Sequence, residues 1–282
     1  MSIFKGALGS EDEKGARYKP GSGEYGSGAV GDLIALYSSG ELRKLCPHWA
    51  GKAGFSDLVA VLEPRIASQA DIKSLNANLF LEDLASCILQ GVELTGRPDV
   101  FSTLLDPVMQ VLYNHGHNGL AIDFSLFPPD YLEVGGTVEG EEGRVLRMTY
   151  KGTFEDVGFY VKHVRLELYG TSRWAGANAQ FSEFILHDPV TFMGTNASDC
   201  TYHILAAPTV DTLLWGDRNS FYFHTGLSSD VQERIRLKQD ARAWLGERDV
   251  LVRDWGIFFN NGNRIFIPKG EDEWEEIVPY DP

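Results

Sequence analysis

Two histidines and an aspartate lie close together near the middle of the chain, in the segment NHGHNGLAID. Imidazole nitrogens and carboxylates bind zinc and related divalent ions, so His115, His117 and Asp123 are candidate ligands of such a metal. A bound ion would lower the pKa of a water molecule and prepare it for hydrolysis. The alternative is a polar helix end, where imidazoles favour the negative end of the helix dipole and glycines form the turn.

A second group of ionisable residues follows in two short segments whose polar and apolar positions alternate. A strand in VKHVRLELYG places four polar side chains on one face: His163, Arg165, Glu167 and Tyr169. The later segment SEFILHDP places Glu183 and His187 together on one side. If the two strands pair, this face offers acid, base and anion-binding groups, and the catalytic candidates are Asp123, His163, Glu167 and His187. The alternative is the ordinary solvent-facing side of an antiparallel sheet.

The glycines near the N-terminus match part of a dinucleotide-binding pattern. Gly26, Gly28 and Gly31 have the G-x-G-x-x-G spacing and precede an apolar segment. Such a loop needs a buried strand directly before it to aim the helix N-terminus at the phosphates, and GARYKPGSGEY contains no strand pattern. We therefore interpret residues 1–30 as a flexible glycine-rich leader, with nucleotide binding by these glycines as the alternative.

The charge balance and the cysteines restrict the partners and the compartment. The chain of 282 residues carries 40 acidic and 25 basic residues, a net charge of -15. This balance argues against nucleic acid, whose phosphates need basic side chains, and against anionic membrane surfaces. No segment approaches the roughly 20 apolar residues of a membrane-spanning helix. Cys46, Cys87 and Cys200 form no C-x-x-C pair, which is typical of reduced thiols in a cytoplasmic protein.

The elements that must position these residues change character along the chain. Apolar residues recur at helical spacing between residues 31 and 118, which predicts a helical region, clearest in DIKSLNANLFLEDLASCILQG. Residues 119–270 contain short runs rich in β-branched and aromatic residues, interrupted by one helix that Ser229 can cap. The order indicates an α+β fold, with an N-terminal helical block followed by a mostly antiparallel sheet. We find no internal repeat.

The strongest local signal predicts a C-terminal β-hairpin over residues 255–268. In WGIFFNNGNRIFIPKG, Asn261 and Gly262 suit a two-residue turn in which both positions adopt positive φ. The apolar residues on both sides of the turn predict a hairpin that is covered on both faces. Replacing Gly262 or Phe258 should then destabilise the fold.

The C-terminal residues 271–282 form an acidic tail with interleaved Trp, Ile, Val and Tyr residues. The tail could dock on a basic, apolar groove of another protein, or it could fold back onto its own domain. Since no catalytic signature is present, the leading hypothesis is a cytoplasmic protein that binds a protein partner or its own copies. The alternative is a metal-assisted hydrolase at the junction of the helical and β regions, using a divalent cofactor.

Overall fold

The computed structural model of the chain describes residues 28–45, 54–69, 71–91, 100–127, 133–208, 212–238 and 255–280. Its helices are α1 (Ala29–Ser38), α2 (Glu41–Leu45), α3 (Phe55–Gln69), α4 (Ala77–Gly91), α5 (Asp106–Asn114), α6 (Ser229–Arg236) and α7 (Trp255–Asn260), with a 3₁₀ turn at Ile72–Ser74 and a π-helical turn at Phe101–Leu105. Its strands are β1 (Gly119–Asp123), β2 (Glu133–Val134), β3 (Leu146–Lys151), β4 (Phe154–Val157), β5 (Val164–Tyr169), β6 (Ser172–Ala175), β7 (Glu183–Leu186), β8 (Val190–Met193), β9 (Thr201–Ile204), β10 (Leu213–Leu214), β11 (Ser220–Phe223), β12 (Arg264–Gly270) and β13 (Glu273–Glu276).

The strands form a β-solenoid in which successive strands alternate between two sheets. The long sheet has eight strands in the order β1-β3-β5-β7-β9-β11-β12-β13, and the short sheet has five in the order β10-β8-β6-β4-β2. The pairs β1–β3, β3–β5, β5–β7, β7–β9, β9–β11 and β11–β12 of the long sheet are parallel, and β12–β13 is antiparallel. A third ladder of single parallel bridges joins Glu139, Lys162, Gln180, Ser198 and Asp217.

The prediction of an α+β fold with a mostly antiparallel sheet was therefore wrong: the fold is a parallel β-solenoid with helices at its N-terminus. Arg147 pairs with Arg165, Arg165 with Glu183, and Glu183 with Thr201, a step of 18 residues each time. The chain passes through all three ladders before it returns beside its earlier turn, so neighbouring strands run in the same direction. Each such turn is one structural repeat, which the search for a repeat in the amino-acid sequence did not reveal.

The corners between the ladders explain why the chain can turn so sharply. Gly158, Gly176 and Gly194 stand at the same point of three successive turns with φ of 69°, 68° and 72°. Left-handed backbone of this kind is readily adopted by glycine. A second corner uses side-chain-bearing residues with φ between 49° and 57°, namely His163, Phe181, Asp199 and Arg218. These recurring corners set the 18-residue turn.

Aromatic side chains fill the inside of the solenoid in a stack. The rings of Phe184 and Tyr202 are 4.9 Å apart and nearly parallel, and Tyr202 stacks on Phe221 at the same distance. Each ring is fully buried and comes from the equivalent position of a successive strand. Stacking therefore ties each turn of the solenoid to the next.

Helices cover both ends of this core. At the first turn, the side-chain oxygen of Asn78 on α4 accepts the N–H of Ala121 at 3.0 Å, which satisfies a backbone group at the edge of β1. At the last turn, Phe258 on α7 packs against Phe221, with ring centres 5.9 Å apart. A solenoid needs such caps because its terminal turns would otherwise expose apolar core and unpaired strand edges.

The hairpin predicted at residues 255–268 was misplaced. Residues 255–260 form helix α7, and Gly262 lies just after its end with φ 77° and donates its N–H to Phe259 at 2.9 Å. A helix C-terminus demands the same positive φ as the predicted turn, so the local signal fitted both. The hairpin of the structure joins β12 to β13 through Asp272, which has φ 57°.

The C-terminal residues fold back onto the protein. Residues 273–276 of the expected acidic tail are strand β13, and the side chain of Ile277 is fully buried. Tyr280 donates its N–H to the carbonyl of Arg236 at 2.8 Å.

The late helix α6 begins where predicted, but Ser228 caps it in place of Ser229, since the Ser228 hydroxyl accepts the N–H of Val231.

Candidate functional site

The outward side of the long sheet carries a continuous series of polar and aromatic side chains. We call it the ladder face, and its residues are Asp123, Arg147, Thr149, Lys151, Arg165, Glu167, Tyr169, Glu183, Ile185, His187, Thr201, His203, Leu205, Ser220, Tyr222, His224, Arg264, Phe266, Trp274 and Glu276. The alternation of each strand places these side chains outside, while the residues between them enter the core. Parallel pairing in register then aligns them into rows across the sheet.

Glu167, Tyr169 and His187 form a hydrogen-bonded group on β5 and the end of β7. One carboxylate oxygen of Glu167 accepts the Tyr169 hydroxyl at 2.6 Å and lies 2.9 Å from Nε2 of His187. The Tyr169 and His187 rings stack with centres 3.9 Å apart. Burial, followed by the bond to Glu167, raises the pKa of Tyr169 to about 12, so its hydroxyl remains a donor at neutral pH. A carboxylate that orients an imidazole is typical of sites in which the imidazole acts as a general base.

A chain of charged contacts runs next to this group. Glu183 lies 3.4 Å from Nε of Arg165 on one side and 3.4 Å from Nε2 of His203 on the other. The hydrogen bond from His203 lowers the pKa of Glu183 and outweighs the effect of burial, with further help from Arg165. Nδ1 of His203 lies 3.2 Å from Nε2 of His224. Burial and the neighbouring His203 lower the pKa of His224. These contacts hold four side chains in place.

The C-terminal end of the ladder face is aromatic. The rings of Tyr222 and Phe266 stack with centres 4.4 Å apart, and the imidazole of His203 stacks on Tyr222 at 5.0 Å. Trp274 of the hairpin meets Tyr222 and His224 edge to face, at 5.0 and 4.8 Å. Arg264 pairs with Glu276 and lies over the Phe266 ring. The ladder face therefore ends in a packed aromatic surface.

Three of the four catalytic candidates lie on this face. The structure brings Glu167 and His187 into contact, and Asp123 lies in the same sheet, paired with Lys151 at 2.8 Å. Burial raises the pKa of Asp123, but the bonds from Lys151 and Ser125 outweigh it and lower the pKa. His163 is separate from them, because it occupies a corner at φ 50° and stacks on Phe181.

The three metal-ligand candidates do not meet. Nε2 of His115 lies 2.6 Å from Glu63 on α3, and Nε2 of His117 lies 2.6 Å from the carbonyl oxygen of Ile72. Asp123 has its own partner on β3. Among the residues that the structure describes, no group of three or more His, Cys, Asp or Glu side chains is placed to hold a metal ion. The interpretation of these histidines as a polar helix end fits His115, which directly follows α5.

The glycine pattern falls at the start of α1. Gly28 precedes the helix and accepts the N–H of Asp32 at 3.0 Å, and Gly31 lies inside the helix. Gly26, and with it most of the expected leader, lies outside the described residues.

A group of carboxyl side chains at the junction of helices and solenoid was missed from the sequence. The fully buried Asp106 at the start of α5 accepts the N–H groups of Gly135 and Gly136 at 2.9 and 2.7 Å, and burial raises its pKa well above the usual value. Glu133 and Asp156 pair across β2 and β4 and line the same small cavity. Burial, followed by Glu133 and Glu155, raises the pKa of Asp156 to about 7.

Sequence reasoning also missed the second half of the ladder face. The runs that hold His203, Tyr222, His224 and Phe266 read as strands, and Trp274 was expected in an acidic tail. Only the strand pairing of the solenoid shows that these residues share one surface. That pairing was the signal that would have joined them to Glu167 and His187.

No protein-family model, curated protein or solved structure gives a significant match to this chain. In the part of the chain that the structure describes, no helix has the length and apolar character needed to cross a membrane. The ladder face and the junction carboxyl groups therefore have to be interpreted from their own geometry.

Proposed function

We propose that this protein functions by binding another protein chain through the ladder face. The observation that supports the proposal is the series of exposed and half-exposed aromatic, imidazole and charged side chains on successive strands of one sheet. A solenoid repeats a short turn to build an extended surface, which is how repeat proteins present binding sites.

The ladder face is held in one conformation before any partner arrives. Tyr222 is fixed by stacking on Phe266 and by the edge of Trp274, and Glu167 fixes both Tyr169 and His187. Ordering a long side chain on association costs about 0.5–1.5 kcal/mol. Because these side chains are already ordered, binding avoids much of that cost.

The residue types also suit an interface. Tyrosine, tryptophan and arginine are the side chains most enriched among the residues that dominate binding energy, and the ladder face has them at Tyr169, Tyr222, Trp274 and Arg165. The edge strand β13 is a less suitable place, since the exposed carboxylate of Glu273 opposes the addition of another strand there.

A photo-crosslinking amino acid at position 185 tests the proposal. Ile185 lies at the centre of the ladder face, in register between Glu167 and His203. The same amino acid at Thr191, on the short sheet, is the matched control. Irradiation in the native extract should give a defined adduct from position 185 and none from position 191. Equal labelling from both positions, or none from 185, would refute binding through this face.

The setting that we expect remains the cytoplasm, supported by the state of the thiols. Cys87 and Cys200 are free, and Cys46 lies outside the described residues. Burial raises the pKa of the Cys200 thiol to about 12, so it is protected from oxidation. Reduced, unpaired cysteines are typical of this compartment.

A hydrolase is the second candidate, and the contact between Glu167 and His187 favours it. Glu167 holds Nε2 of His187, so Nδ1 of the neutral ring is the nitrogen that can accept a proton from water. Replacing His187 with Gln keeps the size of the side chain and removes the base. Wild-type protein and this variant should differ at least about tenfold in hydrolysing a panel of activated esters, phosphates and glycosides. Equal rates at background level would reject the hydrolase.

A further inference from the structure

We propose that the partner of the ladder face is a second copy of this chain, related to the first by a twofold axis. The inference rests on the proposed binding function and names the partner. The protein carries a net charge of -15, but the ladder face has four acidic and four basic side chains. The acidic ones are Asp123, Glu167, Glu183 and Glu276, and the basic ones are Arg147, Lys151, Arg165 and Arg264.

This neutrality favours a second copy over a basic partner. A basic partner of an acidic protein gains most from an acidic surface, since opposite potentials attract. Two copies of one acidic chain repel each other over most of their surfaces, and they can approach only where the local charge is balanced. Most of the charged groups on the ladder face are also paired within the chain, as Arg165 is with Glu183 and Arg264 with Glu276.

The centre of the ladder face offers apolar area to such a contact. Ile185 on β7 and Leu205, directly after β9, are half-buried, and the half-buried ring of Tyr222 follows on the next strand, β11. In a twofold contact the same patch meets itself, so a central apolar patch within charge-balanced surroundings is self-complementary. The two patches would cover each other, and the ion pairs would form the rim.

The size of the ladder face fits a stable dimer. Eight strands that each take about 4.8 Å give a length of roughly 38 Å, and five residues that each take about 3.3 Å give a width of roughly 17 Å. Each copy would then contribute about 630 Å², or about 1,260 Å² for the pair, at the lower end of the usual range. Specific interfaces bury about 1,200–2,000 Å² in total.

Edge-to-edge pairing of two copies is the competing arrangement, and charge opposes it. The edge strand β13 carries exposed Glu273, next to Glu271 and Asp272 in the turn, while Glu275 pairs with Arg236 at 3.0 Å. Two such edges would bring like charges directly opposite each other, which destabilises a strand pair. The ladder face is therefore the surface at which two copies meet.

Sedimentation velocity with the full chain tests the dimer. Wild-type protein should sediment with twice the 31.3 kDa mass of the chain at micromolar concentration. Ile185→Glu places a charge in the apolar centre of both copies and should raise the dissociation constant at least about tenfold. Thr191→Glu adds the same charge on the short sheet and should leave the dimer intact. Far-UV circular dichroism shows whether each variant folds, and the wild-type mass decides the question even if one does not.

The crosslinking experiment separates the dimer from the proposed function. An adduct of twice the chain mass from position 185, together with a sedimenting dimer, supports both. A monomer whose position 185 crosslinks to a different protein overturns the second copy and leaves the proposed binding function standing. A monomer without any adduct overturns both. The wild type could also form a dimer that Thr191→Glu dissociates and Ile185→Glu leaves unchanged. That result would place the contact on the short sheet and overturn the assignment of the ladder face.

Discussion

Alanine in place of Gly176 should destabilise the fold strongly, because this corner of the solenoid lies directly against the core stack. Gly176 has φ 68°, and a Cβ atom there would lie 2.6 Å from the Tyr202 hydroxyl oxygen and 2.7 Å from Cζ of Phe184. Contacts this close require a movement of the stack. Tyr202 and Phe184 cannot move easily, since both are fully buried and stack on each other at 4.9 Å.

The expected cost of Gly176→Ala has two parts, and the same substitution at a second glycine separates them. Left-handed backbone costs a non-glycine residue about 1–2 kcal/mol. Forcing an extra methyl group into a packed core costs about 1–3 kcal/mol more. Gly176→Ala should therefore cost about 2–5 kcal/mol. Gly143 is the control, since it has φ 87° but nothing lies within 4 Å of an added Cβ. Gly143→Ala should cost only the backbone part, about 1–2 kcal/mol.

Urea unfolding of the wild type and the two variants measures both parts. Similar slopes of the unfolding free energy against urea would show that the variants change stability and not the extent of unfolding. The difference between the two variants is the cost of crowding the stack. If Gly176→Ala were as mild as Gly143→Ala, the corner would not rest on the core, and our account of how the 18-residue turn is fixed would fail.

Three further changes test other parts of the structure. Asp156 has its pKa raised from 3.8 to about 7, so it favours folding at low pH, and this contribution is lost as the pH rises between those values. Asp156→Asn should therefore raise the free energy of unfolding by about 1 kcal/mol at pH 8, a figure reduced because the carboxyl group is partly in contact with water. The gain should be smaller at pH 5. Equal gains at both pH values would contradict the raised pKa of Asp156. Asn219→Ala should cost about 2–4 kcal/mol in denaturant melts, because the buried amide of Asn219 accepts the N–H of Cys200 at 2.9 Å and donates to the carbonyls of Ala197 and Trp215. Phe258→Ala should cost about 3–5 kcal/mol by the same assay, since the ring closes the end of the stack; a wild-type midpoint would show that α7 does not cap the core.

The sequence predicted well the features that depend on a single element. Strand alternation placed Arg165, Glu167 and Tyr169 on one face, and Glu183 and His187 on the same side of the next strand in that sheet. A side-chain period of two holds for parallel and antiparallel strands alike, so this prediction did not depend on strand direction. The N-terminal helices were visible for a similar reason, because helical spacing is local.

Strand direction could not be predicted in the same way. Most strands of the solenoid have only four to six residues, and the segments between consecutive strands are short, as between Lys151 and Phe154. Short links normally indicate antiparallel hairpins. Here each link leads into the other sheet, and the partner of a strand comes one full turn later. The wrong assumption was that consecutive strands pair.

The repeat was hidden because the solenoid constrains backbone shape more than residue type. One set of equivalent positions changes from aliphatic to polar side chains along the sheet: Leu146, Val164, Ser182, Cys200 and Asn219. The step also lengthens from 18 to 19 residues between Thr201 and Ser220, and to 44 between Ser220 and Arg264, because the chain leaves the solenoid to form α6 and α7. What does recur is the glycine at Gly158, Gly176 and Gly194, since a Cβ atom at each of these left-handed corners would lie less than 3 Å from a neighbouring atom. Glycine spacing, and not apolar spacing, is therefore the signal that would have revealed the register and brought His203 and His224 onto the same face as Glu167.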